Sequence, residues 1–294
     1  MFLLIFTLNV ATFLPSGSSL EINKRIIGGT HAQDGSYPWS AYIKYVSKEY
    51  RSSCGATIIS NQWLLTAAHC MWPVGYIDLN RPELWHVQIG RMKVVAGSEH
   101  TPEEQIIDGN RHSYYRKDQL KTENLRFHVE RIIFHPNHEI GLLEYDIALM
   151  KIKGRIPYMW GKSVPASLPI SKQIRQWTSG DRKCTIVGWG CTKPRGNTTD
   201  VASVAELKVL YDQTCGQLLI GVNKDHEFCA GYYNSSVGLC HGDSGSGLIY
   251  KHHGSTTVIG VASGSDTEEP QSYPGVFVRV AAFIDWIQTE MKRS

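Results

Sequence analysis

The sequence predicts an all-β fold, a sandwich or barrel, finished by one C-terminal α-helix. Three observations carry this reading. Short segments rich in β-branched and aromatic residues recur along the chain. Gly, Pro, Asn and Ser fall between them and mark turns. Near the end, Phe283, Ile284, Ile287 and Met291 recur at three- and four-residue spacing, which makes one apolar helix face.

In chain order, the expected strands are Ala41–Val46, Ala56–Ile59, Trp63–Thr66, Trp85–Ile89, Arg131–Phe134 and Ile147–Ile152. Thr185–Val187, Leu207–Tyr211, Gly247–Tyr250, Val258–Ala262 and Gly275–Val280 follow. Many short strands with this punctuation belong in a sandwich or barrel. The helix, expected over Ala281–Met291, packs the chain end against that body. Arg91–Asn124 is polar, mixed in charge and without periodicity, so it reads as a long surface excursion. No internal repeat, heptad or low-complexity tract is present.

Ahead of this body, Phe2–Leu14 is mostly apolar, broken by Thr7, Asn9 and Thr12. It is shorter than the roughly 20 apolar residues a membrane span needs. Pro15 ends the run, and Ser16, Gly17, Ser18 and Ser19 supply small residues for signal cleavage. Residues 1–19 therefore read as a secretion signal, although no side chain before Phe2 is positive. Residues 20–25 form a short piece ending in Asn23-Lys24-Arg25, and 26–294 form the main domain. The expected product is secreted, extracellular and without a membrane span.

The 294 residues are 42% hydrophobic, enough for a sizeable core. A net charge of +3 gives no excess of one sign that would call for nucleic acid or an anionic membrane. Cys54, Cys70, Cys184, Cys191, Cys215, Cys229 and Cys240 are disulfide candidates in an oxidising compartment, and their odd number leaves at least one without an intramolecular partner. No CxxC pair occurs and the cysteines do not alternate with histidines at zinc spacing, so no metal site is expected.

Three local strings carry chemistry: Leu64-Leu65-Thr66-Ala67-Ala68-His69-Cys70, Asp146-Ile147-Ala148-Leu149 and Gly242-Asp243-Ser244-Gly245. Each alone has a plain reading: a hydrogen-bonded core histidine, a strand-end cap, the middle of a tight turn. Together they resemble the chymotrypsin/trypsin-like serine peptidase family, whose order is His, Asp, Ser. Ile26-Ile27-Gly28-Gly29, Tyr37-Pro38-Trp39, Gly188-Trp189-Gly190 and Pro274-Gly275-Val276-Phe277 extend the resemblance over nearly everything from Ile26 onward.

The resemblance implies two six-stranded antiparallel barrels with the active site between them. It also implies peptide-bond hydrolysis through an acyl-enzyme. A serine hydroxyl is a weak nucleophile until a base takes its proton. His69 is that base for Ser244, and Asp146 holds its ring and stabilises the cationic form. The N–H groups of Gly242 and Ser244 form the oxyanion hole. Cleavage at Arg25-Ile26, by an activating protease, frees an ammonium to pair with Asp243. Protein or peptide substrates are the expected partners, with protein inhibitors as further candidates. This chemistry requires no metal or organic cofactor.

Further site residues come by the same resemblance. Gly238 stands at the pocket floor, where a trypsin has an aspartate. Gly275 leaves the pocket open, Ser263 begins the strand that pairs with substrate, and Gly264 stands where a tryptophan is usual. These positions favour a large apolar or aromatic residue at the cleaved bond, while Asp266, Glu268 and Glu269 raise the alternative of a basic one. Cys54 matches Cys70, and Cys215 matches Cys229, as family bridges. The expected partner position of Cys184 holds Tyr250. Cys240 lacks its usual partner in Ser265–Tyr273, and the extra Cys191 is a candidate to replace it. Ser246-Gly247 stands where the family has Gly-Pro. The stretch between His69 and Asp146 is long because of the 91–124 excursion. Asn197 and Asn234 begin N-glycosylation triplets. A non-catalytic homologue acting as a binding module is the main alternative. A lipase or esterase fits poorly, because its histidine comes last.

Overall fold

The structure is a computed structural model that describes residues 26–94, 125–159, 161–170, 177–178 and 180–293. The expected signal and propeptide, including Arg25, and most of the 91–124 excursion lie outside the described residues.

The described chain is mostly β, with thirteen strands. Six of them close an antiparallel barrel: β2 (Ser40–Val46), β3 (Arg51–Ile58), β4 (Trp63–Thr66), β7 (Ala148–Ile152), β6 (Leu125–Phe134) and β5 (Trp85–Ile89), in that order around the ring. Strand β2 shows why these segments pair. Ala41, Ile43 and Tyr45 alternate into the core while Tyr42, Lys44 and Val46 are less buried, the period-2 pattern of a half-covered strand. Strand β4 is buried at all four positions, because its outer face is covered too.

The remaining strands form a curled seven-stranded sheet. Its order is β1 (Thr30–His31), β9 (Ser203–Lys208), β8 (Lys183–Gly188), β11 (Gly247–His252), β12 (Ser255–Gly264), β13 (Gly275–Arg279) and β10 (Glu227–Ala230). Its two ends meet just beyond β9, where Val209 bridges Ala230 and Leu210 N–H donates to Cys229 O at 2.9 Å. The expected second six-stranded barrel is thus a six-strand ring closed by a single bridge, with β1 added outside it. The whole is consistent with the double barrel that the resemblance implies.

Each unit has its own core. Ile43, Leu64, Trp85, Phe127 and Met150 fill the first. Ile186, Leu207, Phe228, Leu248, Ile259 and Phe277 fill the second, together with Ile26. The C-terminal helix α2 (Ile284–Lys292) follows a 3-10 turn at Val280–Phe283 and docks on the first core through Phe283, Ile284 and Ile287. A shorter helix α1 (Asp212–Leu218) has only Cys215 buried, which explains why no apolar stripe announces it. Buried Arg279 ties α1 to β10. Its Nη2 donates to Asp212 Oδ1 at 2.9 Å and to Glu227 O at 2.7 Å.

The units meet at strand β3 and at Trp189. Tyr42 packs against Trp189 with ring centroids 5.3 Å apart. Gly55 N–H donates to Ser244 O at 2.8 Å, so a first-barrel strand reaches the second-barrel turn that carries the serine. Ser246 lies in this seam: a Cβ built on Gly55 would fall 2.1 Å from its Oγ. That hydroxyl is buried without a hydrogen-bond partner. Leaving such a group unpaired costs about 1–3 kcal/mol. A Ser246→Gly change removes that cost and adds about 0.5–1 kcal/mol of glycine backbone entropy. The variant is expected to melt at the same temperature or a few degrees higher, and a clear drop in the thermal melt would show that the hydroxyl stabilises the seam.

Candidate active site

His69 comes directly off β4, in a 3-10 turn at Ala68–Met71. Ala67 and Ala68 are fully buried, so only small side chains fit there. Cys70 bonds to Cys54 on β3, with Cα atoms 6.3 Å apart, and pins the turn to the barrel. The His69 side chain is 19% exposed.

Asp146 precedes β7 and is completely buried. Its Oδ2 lies 2.7 Å from His69 Nδ1 and accepts from Ser263 Oγ at 2.6 Å, while Oδ1 accepts from His69 N–H at 2.7 Å. A carboxylate only accepts hydrogen bonds, so it selects the tautomer with the proton on Nδ1 and leaves Nε2 as a base. The aim of Asp146 is set by Tyr145, held at φ 53°. A bulky residue rarely adopts that conformation without help. The Tyr145 ring stacks on His135 at 5.1 Å, tilts against His226 at 4.6 Å and meets Phe283 edge-on at 6.1 Å.

Ser244 sits in the turn between β10 and β11, just after Asp243, and lines a cavity of about 260 Å³. Leu143, Leu239, Cys240, His241, Ala262 and Ser263 share its wall. Ser244 and His69 are brought to one seam by the chain of contacts Ser244–Gly55, Cys54–Cys70 and His69. Ser263 joins the same seam from β12, touching Asp146 while lining the Ser244 cavity.

Asp243 points the other way, into the second unit, and is 1% exposed. Its Oδ1 accepts from Gly190 N–H at 2.8 Å and its Oδ2 from Cys240 N–H at 3.0 Å. Burial pushes its carboxyl up to about 7, against the opposing pull of those two hydrogen bonds. Gly188-Trp189-Gly190 has a direct reason here. A Cβ on Gly188 would fall 2.1 Å from Asp243 Oδ1, and one on Gly190 would fall 2.4 Å from its carboxyl carbon. Ile26 is fully buried in the adjacent core, and Ile27 O accepts from Gly238 N–H at 3.0 Å.

The expected pocket residues divide. Ser263 and Gly264 line the cavity; Gly238 and Gly275 do not. A Cβ on Gly238 would fall 2.0 Å from Pro270 O, so that position is packed against backbone. Leu239 packs against Gly275, its Cδ1 being 2.4 Å from where a Gly275 Cβ would lie. Leu143, 41% exposed, comes within 3.2 Å of a Cβ built on Gly264 and stands beside the place of the missing tryptophan. Sequence reasoning missed Leu239, Leu143 and the bond from Ser263 to Asp146. Leu239 was findable, since it directly precedes Cys240 in the serine loop.

The structure joins Cys54 to Cys70, Cys215 to Cys229 and Cys191 to Cys240. Cys184 is free and buried beside Tyr250, and burial pushes its thiol up to about 12, so it packs as an inert apolar group. Asn197 and Asn234 are both exposed.

A double-barrel body with a histidine, a buried aspartate and a serine at its seam defines the class, and comparison with known proteins agrees. Residues 26–287 match the model of the family described as Trypsin, and the chain belongs to that family. Among curated proteins it is similar to coagulation factor XI of Bos taurus, 28% identical over 277 residues. That alignment covers 91% of this chain and 38% of the relative, so the chain spans well under half of that protein's length.

The hydrogen bonds of Asp146 make a sharp expectation. Asp146→Asn keeps the shape but places an amide against His69 and favours the wrong tautomer. Turnover is expected to fall about 10⁴-fold with the thermal melt little changed. Steady-state kinetics on a peptide ester, beside a melting curve, measures both.

Proposed function

We propose that this chain is a secreted serine endopeptidase that hydrolyses peptide bonds through an acyl-enzyme and is activated by cleavage at Arg25-Ile26. The observation that carries the reading is the buried Asp146 carboxylate, which accepts from the backbone N–H and the ring Nδ1 of His69 and leaves the ring's Nε2 as a base. In this mechanism Ser244 Oγ attacks the scissile carbonyl and His69 takes its proton. The N–H groups of Gly242 and Ser244 stabilise the oxyanion, and each such donor contributes about 3–4 kcal/mol. His69 then protonates the leaving amine, and water repeats the sequence on the acyl group.

Leu239 and Ala262 on the cavity wall favour an apolar side chain at the cleaved bond, and Leu143 extends that surface outward. Asp266, an acidic residue of the cavity wall, stands with Thr267 on the loop that follows Ser263 and Gly264.

A fluorophosphonate probe tests the reading. Cleaved protein is expected to label, and Ser244→Ala is expected not to. Folded, correctly cleaved protein that stays unlabelled would point instead to a non-catalytic binding module.

Activation has a pH signature. In the uncut chain the folded Asp243 carboxyl titrates at about 7, above its ordinary 3.8, so folding favours its protonated form. That contribution is full below about pH 4 and is lost as pH rises through 7. Cleavage supplies an ammonium that favours the charged form, so the cut chain escapes this loss. The melting temperature of cut over uncut protein is therefore expected to widen between pH 4 and pH 7. A gap that stays constant over that range would mean the ammonium does not reach Asp243.

A further inference from the structure

We infer that the Cys191–Cys240 disulfide is a positioning device for the oxyanion segment, holding Gly242-Asp243-Ser244 in place before Ile26 is freed, so that the uncut chain is already partly reactive. This rests on the peptidase reading above and concerns how its site is assembled.

Four contacts join the same two segments. The disulfide links Cys191 to Cys240, with Cα atoms 5.4 Å apart and a sequence separation of 49. Cys191 N–H donates to His241 O at 3.1 Å. The Asp243 carboxylate accepts from Gly190, the residue before Cys191, and from Cys240 itself. Beyond the bridge the chain folds back over the turn, and Thr198 Cγ2 lies 2.6 Å from where a Cβ on Gly242 would stand. The bridge thus closes a ring around the carboxylate that an activation ammonium would pair with.

The bridge also touches the activation segment. Ile27, Cys191 and Cys240 form one buried cluster, and Gly238 N–H holds Ile27 O. Disulfide and ammonium therefore act on one element. A cross-link of this span removes much of the freedom of the loosened loop, whatever the state of Ile26. An ammonium favours the same ordered arrangement through Asp243. Two devices that bias one equilibrium in the same direction are partly redundant, and each matters more when the other is missing.

The test is a four-way comparison of fluorophosphonate labelling rates. Arg25→Gln protein, which stays uncut, is set beside cleaved protein, each with the bridge or with Cys191→Ser and Cys240→Ser together. The bridged uncut chain is expected to label above the Ser244→Ala background. Losing the bridge is expected to slow the uncut chain about tenfold or more and the cut chain less than about threefold, a coupling of ordinary size. A purely structural bridge would slow both forms equally, and that result overturns the inference. So does an uncut, bridged chain that never labels while the cut one does. If the cut, bridged chain itself fails to label, the peptidase reading fails and the inference falls with it. Should the serine pair show no cooperative melt, the same comparison is made on wild-type protein. Its Cys191–Cys240 bridge is opened by limited dithiol reduction and alkylated, with peptide mapping showing the other two bridges intact.

Discussion

The burial of the Asp243 carboxylate is the constraint around which this site is built. A carboxylate taken from water needs donors, and here the donors are two backbone N–H groups rather than a cation. Its oxygens approach the backbone so closely that positions 188 and 190 must be glycine. Trp189, between them, fills the seam between the units and donates Nε1–H to Met92 O at 3.0 Å. The turn at Cys240–Asp243 folds over the carboxyl through Asp243 N–H to Cys240 O. With the aspartate turned inward, the next residue, Ser244, reaches the cavity wall. One side chain's solvation problem thus fixes a sequence motif, a turn and the place of the candidate nucleophile.

Asp146 solves the same problem differently. It is equally buried, but its donors include two side chains, His69 and Ser263, which the proposed chemistry would use. The first belongs to the closed barrel and the second to β12 of the other sheet. One carboxylate therefore ties the two units together at the point where the proposed mechanism needs its base. Asp243, by contrast, is held entirely by backbone of its own unit. Its carboxyl, raised to about 7 by burial, lies where a nearby cation would change its charge state, as the activation proposed above requires. The two aspartates differ in role because their donors differ, not because their burial does.

The legible parts of the chain were those whose signal is local. Strands β4 and β5 are read at their observed limits because each is a compact apolar or alternating run between turn residues. His69, Asp146 and Ser244 stand in short strings that need no tertiary knowledge to notice. Strand β10 was missed because Glu227–Ala230 is buried at every position and opens with a charged residue. The first half of β6, Leu125–Glu130, directly after the polar excursion, was not read as strand. Leu125, Phe127 and Val129 do alternate inward, but Arg126, His128 and Glu130 between them hid the pattern. What Gly238 faces was not legible, because it is the approach of Pro270, far along the chain, that decides it.

The departures from the family pattern make sense only with their neighbours. Gly264 leaves an empty place beside the cavity, and Leu143, from a loop of the other unit, stands against it. Ser246 brings a side chain into the seam exactly opposite a glycine, Gly55, so the extra atoms have somewhere to go although the hydroxyl finds no partner. Cys240 loses one partner loop and gains Cys191, while Glu268 of the abandoned loop pairs with Arg195 on the same loop as Cys191. In each case a change in one segment is answered by a residue distant in sequence and adjacent in space. Read singly, such changes suggest a decayed site. Read as contacts, they describe a site whose altered walls surround buried, fully hydrogen-bonded carboxylates at Asp146 and Asp243.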